Sequence, residues 1–231
     1  MKTMGLIGGM SWESTVTYYQ VINQVVKDQL GGLHSAKCIL YSVDFYEIEQ
    51  CQAKGEWDKS AKILSDAAIS LAKAGADFIV ICTNTMHKIA DQIQQHIHIP
   101  ILHIAQATAS ELVDHHIKKV ALLGTKYTME QDFYKHIIIN NHIDVVIPDS
   151  DDRKVVNDII YHELCVGHIN PCSKKAMLSI IDKLVLEGVQ GIILGCTEIG
   201  LLINQSDTDI PLFDTSLIHA KSAAHYALGK A

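Results

Sequence analysis

Short apolar runs alternate along this chain with longer segments whose apolar residues recur at three- and four-residue steps. The runs are Met4–Ile7, Cys38–Val43, Phe78–Cys82, Ile101–Ile104, Val120–Leu123, Ile143–Ile147, Gly191–Leu194 and Leu212–Phe213. Each has strand length and lacks the strict polar alternation of a half-solvated strand. Between them, residues 57–74 put Ala61, Leu64, Ala68 and Leu71 on one helical face. Residues 175–186 do the same with Met177, Ile180, Ile181, Leu184 and Val185. Buried strands alternating with amphipathic helices predict parallel sheets covered on both faces, an α/β fold.

The pattern also repeats. Residues 71–85 (LAKAGADFIVICTNT) resemble residues 184–198 (LVLEGVQGIILGCTE) at an offset of about 113 positions. Both read as a helix end, a glycine turn, a buried strand and a polar strand end. Residues 2–8 (KTMGLIG) resemble residues 118–124 (KKVALLG), and Ile99-Pro100 matches Ile210-Pro211, at nearly the same spacing. The anchors predict two similar α/β lobes. Ligands of open α/β sheets bind beyond the carboxyl ends of the strands. Two facing lobes would present both sets of strand ends to one cleft. The polar residues just past the matched strands are therefore the candidates: Met10, Ser11, Thr83, Asn84, Thr85, Thr125, Cys196, Thr197 and Glu198.

Composition narrows the classes. The 231 residues exceed one average domain and suit two small lobes. At 48% hydrophobic and 19% charged the chain is globular rather than disordered. Its net charge of −7 gives no basic surface for tracking nucleic-acid phosphates. No apolar run approaches the roughly 18 residues of a membrane span, and polar residues interrupt the N-terminus too early for a signal peptide. None of the six cysteines forms a C-x-x-C pair, so reduced thiols and a cytoplasmic setting are expected. Gly5, Gly8 and Gly9 match no phosphate-binding fingerprint, and His162-Glu163 lacks a second histidine at metal-ligand spacing.

Cys196 is the reactive candidate. Loop N–H groups at its strand end are expected to lower its thiol pKa toward neutrality, and the bland alternative is an inert buried cysteine. The repeat sets Thr83 opposite it. Together, Cys82-Thr83-Asn84-Thr85-Met86-His87, Gly195-Cys196-Thr197-Glu198 and the opening Gly8-Gly9-Met10-Ser11 resemble the aspartate/glutamate racemase family over essentially the whole chain. The resemblance implies two α/β lobes related by a pseudo-twofold axis, residues 1–104 with 213–231 and residues 105–212, with the active site between them. It implies a pyridoxal-independent amino-acid racemase with no cofactor and no metal. One group removes the α-proton from one face while another protonates the opposite face. It further implies a small amino acid as the partner molecule, and a homodimer.

The chain departs from the family pattern at one position. The first family cysteine directly precedes Asn-Thr, where this chain has Thr83, as one branch of the family does. Cys82 lies one residue earlier, on the opposite face of a strand. By resemblance, Cys196 is the base toward the L-isomer and Thr83 the opposite-face proton donor. Asn84, Thr85 and Thr197 would hold the α-carboxylate. Gln52 and Cys165 fall near positions where related enzymes contact the substrate side chain, so aspartate, glutamate or a neutral polar amino acid is expected. His87 is a candidate for tuning a proton relay. The alternatives are a related two-lobed decarboxylase or maleate-type isomerase using Cys196, and a non-catalytic small-molecule binding protein.

Overall fold

The computed structural model describes residues 1–230. The chain divides into two compact units, Met1–Ile104 with His219 onward, and Ala105–Ile218. Each carries one four-stranded, wholly parallel sheet.

The first unit runs β1 (Met4–Gly8), α1 (Trp12–Leu30), β2 (Cys38–Ser42), α2 (Phe45–Lys54), α3 (Trp57–Lys73), β3 (Phe78–Ile81), a 3-10 turn (Thr85–Ile89), α4 (Ala90–Gln94) and β4 (Ile101–Leu102). Its sheet order is β2-β1-β3-β4. Alternation along the strands splits the core in two. Ile7, Ile79 and Ile81 pack with Leu64, Ala68 and Leu71 of α3. Met4, Leu6, Phe78, Val80 and Cys82 pack with Tyr18, Ile22 and Val26 of α1. Both faces of β1 and β3 are thus covered, which is why these strands read as unbroken apolar runs. β2 differs. It has β1 as its single neighbour, and Leu40 and Tyr41 are exposed, so its apolar run marks an edge strand and not a buried one.

Helix α5 (Ile104–Asp114) leads into the second unit: β5 (Lys119–Gly124), α6 (Lys126–Glu130), α7 (Asp132–Asn140), β6 (Asp144–Val146), α8 (Ser150–His162), a 3-10 turn (Leu164–Val166), α9 (Pro171–Leu186), β7 (Ile192–Gly195), α10 (Ile199–Leu202), a 3-10 turn (Gln205–Asp207), β8 (Leu212–Asp214) and α11 (Thr215–Leu228). The sheet order is β6-β5-β7-β8, the same path as in the first unit. Ala121, Leu123, Ile192 and Leu194 pack with Val156 and Ile160 of α8 and with Met177 and Ile181 of α9. The helices start on side-chain caps: Asp149 accepts from the Asp151 and Asp152 amides at the head of α8, and Asn170 from the Cys172 amide at the head of α9. The second chain crossing falls at 218/219, not at 212/213, because β8 pairs with β7 through Ile192–Leu212, Ile193–Phe213 and Leu194–Asp214. Residues 213–218 therefore belong to the second unit. No helix among the described residues is long and apolar enough to cross a membrane.

Candidate active site

In each unit the strand order reverses at the first strand, so a crevice opens between the carboxyl ends of β1 and β3, and of β5 and β7. All but two of the candidate residues, Gln52 and Cys165, lie directly after one of these four strands.

In the first unit Ile7 is paired with Ile81, which sets the turn after β1 beside the turn after β3. Gly9 has φ +90, and a Cβ there would collide with the Val43 carbonyl, so the turn needs glycine. Ser11 caps α1: its Oγ accepts from the Ser14 amide at 3.4 Å. Its carbonyl accepts from the hydroxyls of Ser14 at 3.1 Å and Thr15 at 2.8 Å. The Thr15 hydroxyl in turn accepts from the Gly9 amide at 2.9 Å. Met10 is buried in the core beside α3, so its side chain contributes packing. Gln52, on α2, is buried and donates its Nε2 to the Met86 sulfur at 3.0 Å.

Thr83 is half-buried, while Asn84, Thr85, Met86 and His87 behind it are buried. The Thr83 amide donates to the Ile81 carbonyl at 2.9 Å, and the Thr83 carbonyl takes a bond from His87 Nδ1 at 2.8 Å. Cys82 is fully buried on the other face of β3, and burial pushes its thiol far up. It is a core residue.

In the second unit Gly124 is paired with Gly195. A Cβ on Gly195 would lie 2.8 Å from the Leu123 carbonyl, so the close approach of these strand ends excludes a side chain. Thr125 follows β5 and caps α6, accepting from the Thr128 amide at 3.4 Å. Cys196 follows β7, buried at 8% exposure. Its thiol donates to Glu198 Oε2 at 3.0 Å, and the Thr197 hydroxyl donates to the same oxygen at 2.8 Å. Glu198 is itself buried. Cys165, half-buried in the turn after α8, packs against the core cluster that contains Cys196.

This environment overturns the expected thiol acidity. Cys196 stands well above the ordinary thiol value, because burial disfavours the thiolate and the Glu198 carboxylate repels it. Any acidifying effect of nearby amides is outweighed. The thiol rests protonated, its hydrogen directed at the Glu198 carboxylate. Asp214, which closes β8, is a half-buried acid whose carboxyl is raised by desolvation. Its Oδ1 caps α11, accepting from the Ser216 and Leu217 amides, and its other oxygen lies where a Cβ on Gly200 would be.

Sequence reasoning missed Asp214 and His219. Asp214 sits at a strand end like the other candidates, and that position was a usable signal. His219 had none, since it joins His87 only through the fold. Among the described residues no cluster of His, Cys, Asp and Glu has metal-holding geometry.

The repeated parallel α/β unit carries a thiol–carboxylate pair at one switch point and a hydroxyl at the other. The chain belongs to the Asp/Glu/hydantoin racemase family, whose profile matches residues 7–223, and this makes it an isomerase of the amino-acid racemase class. It is 60% identical to a Yersinia pestis protein described as a candidate Asp/Glu racemase, over 99% of this chain and 100% of that one, with a TM-score of 0.91. An aspartate racemase homologue from Pyrococcus horikoshii is 35% identical over 99% and 100% of the two chains, with a TM-score of 0.85. The broad specificity amino-acid racemase RacX of Bacillus subtilis is 30% identical over 95% of each chain.

Proposed function

We propose that this chain racemises aspartate, glutamate or a similar small polar amino acid without pyridoxal or any other cofactor. Cys196 acts as the base toward the L-isomer and Thr83 as the proton donor on the opposite face. The observation that carries the reading is the Cys196–Glu198 hydrogen bond at 3.0 Å, at the carboxyl end of β7. Inversion requires an acid and a base on opposite faces of one carbon. A duplicated fold with one proton-handling group at each equivalent strand end suits that requirement.

In the first step the Glu198 carboxylate takes the Cys196 proton, and the thiolate sulfur takes the α-proton of the bound L-amino acid. The electron pair left on the α-carbon delocalises into the α-carboxylate as an enediolate. Aimed donors must stabilise this charge. Amide and hydroxyl groups of Asn84 and Thr85 serve from one side. Thr197 serves through its backbone N–H, since its hydroxyl is committed to Glu198. Thr83 then delivers its hydroxyl proton to the other face and recovers one from water, while Glu198 returns its proton to solvent and Cys196, now holding the former α-proton, is again the thiol. A threonine hydroxyl is a far weaker acid than a thiol, so it donates through a water relay more readily than it abstracts. The two positions that would meet the substrate side chain, Gln52 and Cys165, are uncharged, which favours a polar over a strictly acidic requirement.

The test follows both enantiomers of a panel of small polar amino acids. Progress curves from pure L and pure D should converge on equal amounts of each isomer, with no loss of amino acid. Two enantiomers have an equilibrium constant of one, so kcat/KM must match in the two directions even where kcat and KM separately differ. Loss of amino acid during the reaction would instead identify a decarboxylase.

A further inference from the structure

Behind Thr83 lie two buried histidines, His87 and His219, with the half-buried His103 and the buried Tyr18. His87, 3% exposed, packs edge-to-face on His103, with ring centroids 4.5 Å apart. Its ring centroid is 5.7 Å from that of His219. His219 in turn meets Tyr18.

The hydrogen bonds fix the tautomers. A carbonyl oxygen only accepts and a backbone N–H only donates. His87 Nδ1 lies 2.8 Å from the Thr83 carbonyl, so it carries the proton. His87 Nε2 receives the Ile104 amide at 3.2 Å, so it carries none. By the same logic His219 Nε2 donates to the Leu102 carbonyl at 2.9 Å, and its Nδ1 accepts from the Tyr18 hydroxyl at 2.8 Å. Both rings are neutral, and all four nitrogens are spent inside the fold. This excludes His87 as a proton relay, because it has no nitrogen left for substrate or water, and it excludes the cluster as a metal site. Burial and the neighbouring histidines hold His87 well below the ordinary histidine value, which keeps it neutral. His103 is held down to about 4 by burial against a smaller opposing pull from Asp91, and His219 to about 3.

We propose that His87 is the positioning residue for Thr83: a neutral imidazole strut that ties the Thr83 carbonyl to the Ile104 amide and so aims the Thr83 hydroxyl. Ile104 is the last residue of the first unit and His219 the first on the chain's return. The strut therefore anchors the proton-donating strand end to the segment where the chain leaves the unit. The inference rests on Thr83 being the opposite-face donor.

Three variants separate the two bonds. In H87N the amide nitrogen replaces Nδ1–H and keeps the bond to Thr83. In H87Q the amide oxygen replaces Nε2 and keeps only the bond to Ile104, and H87F keeps neither. In deuterium oxide, same-face washout of the α-proton from the L-isomer reports on Cys196, while inversion also needs Thr83. We expect H87Q and H87F to lower the ratio of inversion to washout by about tenfold to a hundredfold, as misplacement of a reacting group does, with KM nearly unchanged. H87N, which keeps the Thr83 bond and loses the tie to Ile104, should fall between the parent and H87F, and an H87N ratio equal to the parent's would show that the Ile104 bond plays no part. T83A is the control, and its ratio should fall at least as far. If T83A lowers the ratio and H87Q and H87F do not, the strut is refuted while Thr83 stands. If T83A leaves the ratio unchanged, the assignment of Thr83 fails and the strut with it. A measurement on the unaltered protein needs no variant to fold. Long-range proton–nitrogen NMR should show His87 as the neutral Nδ1–H tautomer across the pH range of activity, and an Nε2–H or charged ring would overturn the proposal.

Discussion

The ends of β3 and β7 occupy equivalent places in the same fold, yet opposite chemistry supports them. Behind Thr83 stand His87 and His219, three of whose four ring nitrogens hold backbone while the fourth accepts from the Tyr18 hydroxyl. Around Cys196 stand a carboxylate that accepts its hydrogen bond, a half-buried acid in Asp214 and a second thiol in Cys165. The two units share one strand order, and the residues behind the matched strand ends differ. One end is backed by neutral rings, and the other carries a protonated thiol directed at a carboxylate. The difference teaches that the chemical asymmetry lies in the supporting residues as much as in the Thr-for-Cys exchange itself.

The comparison breaks most sharply at Cys196. Replacing it with alanine should cut racemisation of the L-isomer by about a thousandfold or more, the upper part of the range for losing a positioned acid–base group. Cys82→Ala should leave the rate within about twofold, since that thiol is buried in the core on the far face of its strand. Steady-state rates of the two purified variants decide the point, and equal losses would refute the assignment of Cys196.

A smaller effect separates the two ends by pH. His103 and His219 have folded pKa values depressed to about 4 and about 3, below an unfolded value of about 6.5. A depressed pKa gives stability that is complete above the unfolded value and is lost as pH falls toward the folded one. Acidification from about pH 6.5 to pH 4 should thus destabilise the first unit by about 1.4 kcal/mol per pH unit for each histidine. Cys196 has the opposite sign. Its folded pKa is raised, so its contribution is complete below the unfolded thiol value of about 8.5 and is lost as pH rises beyond it. Denaturant titrations across pH should show the acid-side loss shrink in H219N and the alkaline-side loss shrink in C196A. Unchanged slopes would show that these groups do not set them.

Much of this architecture was legible in the residues. All eight apolar runs contain strands, and the four central ones, β1, β3, β5 and β7, leave no polar face to disguise the pattern. The repeat disclosed two similar units because strand, glycine turn and helix end recur in register. β2 misled because an edge strand with exposed Leu40 and Tyr41 is as apolar as a central one. The second chain crossing was misplaced because nothing local distinguishes Leu212–Phe213 as the last strand of one sheet. Thr83 and Cys196 were legible as matched strand ends. The acidity of Cys196 was not, because a raised thiol depends on burial and on where the Glu198 carboxylate turns. The histidine cluster was invisible for a similar reason: His87, His103 and His219 meet only once α11 packs against the sheet.

The central claim is that two different groups serve opposite faces of one carbon. Its most direct test incubates T83A in deuterium oxide with pure L and, separately, pure D substrate and follows the α-proton of each by NMR. The account predicts washout from the L-isomer without inversion, and no washout from the D-isomer. Washout from both isomers, or continued racemisation, would contradict it.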